Sequence, residues 1–160
     1  ICQLEIDRAL NNDADVAVDL NNLGNTLMDM NKFEEARDVL QEGLVLKERL
    51  HGVDSKSVVS TLNFLSNTQK ELGQLQEART SAERALRIVE THFYEEDPSL
   101  YALVLAQNGQ LLLSIGGEAN LNRATNLVNQ SIAIQIQQFG AARAFTTRLL
   151  GYIEQRQRRK

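Results

Sequence analysis

Apolar residues recur along the chain three and four positions apart, the spacing that places side chains on one face of a helix. Leu20, Leu23 and Leu27 make one such stripe. A second stripe with the same spacing follows a short polar break and contains Phe33, Ala36, Leu40, Gly43 and Leu44. This alternation predicts first helices near residues 14–29, 55–71, 98–115 and 142–157. Second helices are predicted near residues 32–50, 74–92 and 120–138.

The two-helix pattern repeats along the chain. The block NKFEEARDVLQEGLVL at 31–46 returns as GQLQEARTSAERALRI at 73–88, which places Ala78 42 residues after Ala36. Further copies begin at LVLAQNGQLLLSIG (103–116) and at RLLGYIEQ (148–155). A fixed period of this length is typical of repeat architectures, in which each unit buries its apolar face on its neighbours. The sequence therefore predicts an all-α protein of helix–turn–helix units.

One domain covering residues 1–160 is expected. Its predicted parts are a second helix of a truncated repeat at 1–10, three repeats at 14–53, 54–96 and 97–139, and at 141–160 the first helix of a fourth repeat or a capping helix. The chain begins at Ile1 and not at Met, so we expect it to be a piece of a longer protein. With both ends taken as open half-repeats, Leu149, Leu150 and Ile153 are expected to lack a covering helix.

Small residues occupy one position in all four first helices, namely Gly24, Ser66, Gly109 and Gly151. A glycine inside a helix costs roughly 1 kcal/mol relative to alanine. Its recurrence therefore predicts close approach between helices. The expected core of the first of these helices comprises Leu20, Leu23, Gly24 and Leu27.

These motifs resemble the tetratricopeptide repeat. The resemblance is carried by Leu23-Gly24 with Phe33-Glu34-Glu35-Ala36, and by their echo in Leu65-Ser66 with Leu75-Gln76-Glu77-Ala78. The 42-residue period is similar to that of the kinesin-light-chain type. The resemblance implies an α-solenoid of antiparallel helix pairs, a right-handed superhelix of about eight helices. It also implies a concave groove, lined mainly by first helices, that binds an extended peptide or a partner segment.

Polar side chains border the predicted core stripe of the first helices. Asn21 and Asn25 recur 42 residues later as Asn63 and Asn67. A carboxamide offers two donors and an acceptor, so it can hold a peptide backbone whatever the peptide sequence. The predicted peptide groove comprises Asn21, Asn25, Asn63, Asn67, Lys70, Gln110, Arg148 and Tyr152. The alternative interpretation is that the asparagines bond between adjacent repeats or are merely solvated.

Composition narrows the possible functions. The 160 residues include one cysteine, Cys2, which excludes an internal disulfide, and no apolar run has the length of a membrane span. No nucleophile motif, phosphate loop or metal-ligand spacing is present. We therefore expect this segment to be non-catalytic and without a cofactor, and the lone cysteine favours a cytoplasmic location.

Charge is unevenly distributed. Residues 1–100 carry 19 acidic and 10 basic side chains, a net charge of −9, whereas residues 101–160 carry 2 and 7, a net charge of +5. The basic segment RQRRK at 156–160 is short and has only Tyr152 nearby for stacking, which argues against nucleic-acid binding. The sequence thus predicts a protein–protein interaction module. The alternative is a structural, regulatory or self-associating segment of a larger signalling protein, joined head to tail through its oppositely charged ends.

Overall fold

The computed structural model of the protein describes the backbone of residues 3–159 and the side chains of residues 12–159. This part of the chain forms seven α-helices: α1 (Gln3–Asp29), α2 (Phe33–His51), α3 (Lys56–Glu71), α4 (Leu75–Ile88), α5 (Pro98–Ile115), α6 (Glu118–Phe139) and α7 (Ala144–Arg158). A π-helical turn, Val89–Phe93, continues α4 and is called the π-turn below. No strand occurs between residues 3 and 159, so the prediction of an all-α fold is confirmed.

Helix α5 begins and ends at the predicted residues because its start is strongly encoded. The Asp97 carboxylate accepts a hydrogen bond from the Leu100 N–H at 3.0 Å, and Pro98 occupies the first turn. An acidic N-cap satisfies a helix N–H that has no partner inside the helix, and proline suits the first helical position.

The start of the chain differs from the prediction. The helices expected at 1–10 and 14–29 are one uninterrupted helix, α1, which reduces the expected eight helices to seven; residues 1 and 2 lie outside the described part. The polar stretch Asn11-Asn12-Asp13 contains neither proline nor glycine, so nothing in it stops a helix. Asp13 instead forms an ion pair with Arg49 of α2. The polar run therefore marks a helix surface and not a turn.

Two compact units make up the chain, Ile1–Ser81 and Ala82–Lys160, and their boundary falls within α4. In the first unit α2 packs against both α1 and α3, and α1 also contacts α3. In the second unit α6 packs against both α5 and α7, and α5 contacts the π-turn. The repeat boundaries inferred from the sequence do not coincide with this division and stay predictions.

The core of the first unit follows most of the predicted stripe. Leu27, Ala36 and Leu40 are buried, but Leu23 is 47% exposed and its placement in the core was wrong. Its counterpart Leu65 is buried. The reason is that α3 follows another helix pair, whereas no described helix covers the corresponding side of α1.

Close packing at the small-residue position is confirmed in two helices. A Cβ atom added to Gly24 would lie 2.6 Å from Leu40 Cγ, and one added to Gly109 would lie 2.8 Å from Val128 Cγ2. At the same position Ser66 is accommodated, and its hydroxyl donates to the Ala78 carbonyl at 2.9 Å. The prediction was wrong for Gly151, since a Cβ atom added there would meet nothing within 4 Å.

A buried polar cluster joins α1, α2 and α3 in the first unit. Lys47 of α2 is 6% exposed, and its Nζ donates to Thr61 Oγ1 of α3 at 2.8 Å. The Thr61 hydroxyl in turn donates to Asn21 Oδ1 of α1 at 2.9 Å. Desolvation by burial lowers the pKa of Lys47 from its ordinary value of 10.5. No described carboxylate pairs with this ammonium group.

The same junction in the second unit is built differently. When the second helices are aligned on Ala36, Ala78 and Ala124, Lys47 corresponds to Val89 and Gln135. When the first helices are aligned on their small residues, Thr61 corresponds to Val104 and Thr146. Val89 and Val104 are fully buried, while Gln135 Nε2 donates to Thr146 Oγ1 at 3.1 Å. The pair of positions at this junction is therefore lysine with threonine in the first case, valine with valine in the second, and glutamine with threonine in the third.

The last helix is covered. Leu149 and Ile153 of α7 are buried, and Leu150 is half-buried. The expectation that these residues lack a covering helix was therefore wrong for Leu149 and Ile153, since α7 packs against α6 within the same unit.

Substituting glycines in the second unit separates close packing from helix propensity. Gly109→Ala is expected to destabilise the protein by about 1–2 kcal/mol, because Val128 is branched at Cβ and has little rotamer freedom with which to yield. Gly151→Ala is expected to stabilise it by up to about 1 kcal/mol, since the position is open and alanine is the better helix former. Urea unfolding of both variants measures the change in the free energy of unfolding. A change of the same sign in both variants would contradict the proposed difference in packing.

Lys47→Met is expected to raise the free energy of unfolding by about 1–2 kcal/mol at pH 7, because it removes a buried ammonium group that has no counter-ion among the described residues. A lysine with a lowered pKa binds more protons when unfolded than when folded, so wild-type stability should rise as the pH approaches 10.5. The advantage of the variant should therefore shrink at high pH. Urea unfolding at pH 7 and pH 10 measures this, with the exposed Lys32→Met as control. A pH-independent advantage would argue against the desolvated ammonium group.

Candidate functional site

The four predicted asparagines of the first unit do not share one environment. Asn21 is half-buried, and its Oδ1 accepts the Thr61 hydroxyl, so its carbonyl serves the junction between α1 and α3. This is the inter-repeat bonding that the alternative interpretation anticipated. Asn25, one turn further along α1, is exposed and forms no hydrogen bond through its side chain with any described residue.

Helix α3 presents the other two asparagines. Asn63 and Asn67 are half-buried, and neither side chain hydrogen-bonds to another residue in the described part of the chain. They lie one helical turn apart, a rise of about 6 Å along the axis. Lys70 continues the same face, but its Nζ lies 2.9 Å from Glu71 Oε1, so a carboxylate already partners its charge. The structure thus leaves two adjacent carboxamides on α3 accessible and unengaged by the described residues.

Two of the three predicted residues in the second unit line one cleft of about 320 Å³. Gln110 of α5 and Tyr152 of α7 face it, together with Arg156. The Arg156 guanidinium lies 5.0 Å from the centroid of the Tyr152 ring, and its Nη1 donates to the Leu113 carbonyl at 3.4 Å. A cation over an aromatic face is a favourable contact that fixes both side chains.

Arg148 is the predicted residue that this cleft does not include. It lies on α7 one turn before Tyr152, is exposed, and does not line the cleft. The structure therefore brings Gln110 and Tyr152 together and leaves Arg148 apart from them.

Gln107 is a polar residue of α5 that no sequence pattern singled out. Its Oε1 is buried and accepts no hydrogen bond from the described residues. A buried acceptor without a partner is uncommon and calls for an explanation. Its counterparts in the other repeats are Asn22, Phe64 and Leu149, so the amide does not recur in neighbouring repeats and no pattern revealed it.

The described side chains offer little for metal chemistry. No group of three or more His, Cys, Asp or Glu residues among residues 12–159 is placed to hold a metal ion. His51 and His92, which occupy similar places in the sequence, belong to different units and are both exposed. None of the helices within residues 3–159 combines the length and apolar character needed to cross a membrane.

Comparisons with known proteins agree on the type of repeat. The sequence model of the tetratricopeptide repeat family matches residues 15–91. A comparison with curated proteins finds no match. Two crystal structures of Podosopora anserina repeats, assigned to a kinesin light chain and described as nearly identical TPR-like repeats, share the fold.

The two structural matches are similar in extent. In one, a variant protein, the identity is 16% and the TM-score 0.66, over 76% of this chain and 55% of the other. In the second, the identity is 21% and the TM-score 0.62, over 76% and 56% of the respective chains. This chain thus spans slightly more than half the length of each structure. At these identities the likeness shows the fold, and the repeat motifs within residues 15–91 show its type. Residues 15–91 are therefore tetratricopeptide repeats, and the two structures show the same fold over 76% of the chain.

Proposed function

We propose that this chain is a non-catalytic module that binds an extended segment of a partner protein along α1 and α3. Its tetratricopeptide-repeat fold is in general one of protein–protein interaction. The observation that carries the finer proposal is the pair Asn63 and Asn67, half-buried carboxamides that form no hydrogen bond with the described residues. Polar groups in partly buried positions gain most from a ligand that completes their hydrogen bonds.

The spacing of the pair suits an extended backbone. One helical turn raises Asn67 about 6 Å above Asn63. Alternate residues of an extended chain lie about 6.6–6.8 Å apart and present their backbone groups in the same direction. Each carboxamide can therefore donate to one peptide carbonyl and accept from one peptide N–H. Because these contacts are made with the main chain, they hold a segment without selecting its sequence.

Helix α1 can extend the site beyond α3. Thr61 fixes the Asn21 carbonyl and so orients the adjoining Nδ2, which forms no hydrogen bond with a described residue. A donor that is already oriented loses less conformational freedom on binding than a mobile one. Asn25, which is exposed, supplies a second carboxamide one turn away. Asn21 thus combines a structural role for its oxygen with a binding role for its nitrogen.

Selectivity for particular side chains would come from the neighbours of the asparagines and from the second unit. Lys70 is paired with Glu71, so an acidic partner residue must compete with that carboxylate. The cleft containing Gln110, Tyr152 and Arg156 offers a carboxamide, an aromatic ring and a cation to a further part of the partner. Arg148 is proposed as an accessory positive charge outside this cleft.

The self-associating alternative has less support. Leu149 and Ile153 are buried within the second unit, so the exposed apolar end on which this alternative relied is missing. The uneven charge along the sequence still favours head-to-tail contact, and that idea stays a prediction. We propose binding of a partner segment in preference to self-association, because it uses polar groups that the fold leaves accessible.

The double substitution Asn63→Ala and Asn67→Ala is expected to weaken peptide binding. Losing the four proposed hydrogen bonds, of about 0.5–1.5 kcal/mol net each, corresponds to a rise in Kd of roughly 30-fold or more. The variant should keep the fold, and its stability should be unchanged or slightly higher, since alanine is a better helix former than asparagine. Peptides selected from a decapeptide array with the wild-type chain serve as ligands, and fluorescence anisotropy measures Kd.

The matched control is Asn126→Ala with Asn129→Ala, two exposed asparagines of α6. Its Kd values should equal those of the wild type. Because the proposed contacts are with the backbone, the α3 variant should lose a similar factor for selected peptides of unrelated sequence. Unchanged binding by the α3 variant, or equal loss in the control, would remove Asn63 and Asn67 from the site.

A further inference from the structure

A second concave site lies in the second unit, and none of the residues that line it belongs to the proposed groove. It is a cavity of about 280 Å³ between the segment that enters α5 and the last turns of α6. Tyr94, Glu95, Pro98 and Tyr101 line one side. Ile134, Gln137 and Gln138 line the other. This volume lies slightly below the usual range for small-molecule sites, about 300–1,000 Å³, and suits a single long side chain.

Two phenol rings form adjoining walls of this cavity. The Tyr94 and Tyr101 centroids are 5.8 Å apart, and the ring planes meet at 79°. Tyr94 is 57% exposed, whereas Tyr101 is half-buried. Nearly perpendicular rings present a π face and a ring edge to the same space. The faces of aromatic rings attract cations that come within about 6 Å of the centroid.

The charge around the rings is negative. Glu95 is the charged member of the lining, and none of the seven lining residues is basic. Burial raises the pKa of Tyr101, and the nearby Glu90 carboxylate raises it further through its charge and a hydrogen bond to the side chain. Two carboxylates thus stand beside the aromatic walls. Gln137 and Gln138 add carbonyl oxygens that can accept hydrogen bonds.

The apolar part of the cavity completes the match to a long side chain with a charged end. Pro98 and Ile134 provide surface for an alkyl chain, while the tyrosines and Glu95 receive its head group. Lysine and arginine combine a flexible apolar stem with a cationic head in this way. A neutral side chain would leave the carboxylate without a counter-charge.

We propose that this cavity binds the cationic side chain of an arginine or lysine in a basic segment of a partner protein. The head group lies against the Tyr94 and Tyr101 rings and pairs with the Glu95 carboxylate. The stem packs on Pro98 and Ile134. Since no residue is shared with the α1 and α3 surface, the proposal stands independently of the asparagine-lined groove.

The test is an NMR titration of the 15N-labelled chain with N-acetyl-arginine amide and with N-acetyl-citrulline amide, which has nearly the same shape but no charge. N-acetyl-lysine amide provides the second cation. Both cations should shift the amide signals of residues 94–97, 99–101 and 134–138, with millimolar dissociation constants. The citrulline derivative should bind at least threefold more weakly than the arginine derivative. Raising the salt concentration should weaken binding of the two cations but not of the citrulline derivative, because the site is partly exposed and salt screens its charges.

Two variants locate the contacts. Tyr94→Leu and Glu95→Gln act on exposed side chains, so the fold should be retained, and each should weaken arginine binding by about two- to tenfold. Glu154→Gln removes an exposed carboxylate of α7 and should leave binding unchanged. The Asn63→Ala and Asn67→Ala variant should also bind arginine normally. Equal binding of arginine and citrulline derivatives, or unchanged binding by both cavity variants, would overturn the proposal.

Discussion

The close approach of paired helices at one small residue is the constraint on which the rest of the structure depends. Leu40 in the first unit and Val128 in the second occupy the space where the Cβ of Gly24 and of Gly109 would otherwise lie. At such short distances a protein interior tolerates few changes in volume. The helices must therefore keep their rotation about their own axes. That rotation decides which side chains of α1, α3 and α5 are buried and which remain accessible to a partner.

Most of the fold could be predicted because it is encoded locally and repeatedly. The Asp97-Pro98 start, the apolar stripes and the 42-residue period each give the same answer, and α5 lies at the predicted residues. The errors occur where the environment of a residue depends on what packs beside it. Leu23 and Leu65 occupy the same position in successive repeats, yet only Leu65 is buried by a helix on that side. A periodic pattern describes a unit and does not describe its neighbours.

The candidate site shows the same limit more strongly. Repetition selected Asn21, Asn25, Asn63 and Asn67 together, since in the sequence they are equivalent. The structure distinguishes Asn21, whose oxygen bonds to Thr61, from the two asparagines of α3. Nothing in the stripe indicated that a threonine 40 residues away would reach it. The tyrosine-lined cavity could not be anticipated either, because its rings come from a connecting segment and the start of α5, and its other wall from the far end of α6.

The three junction positions carry a consequence for the order of the repeats. A buried amine paired with a hydroxyl, two valines, and a carboxamide paired with a hydroxyl fill the same place in successive copies. If the second repeat were deleted, Lys47 would face Val104 and would lose its only described hydrogen-bond acceptor, Thr61. An unsatisfied buried cation is costly. The repeats are similar in sequence, but the junctions between them differ. The residues at each junction therefore specify which repeat follows which.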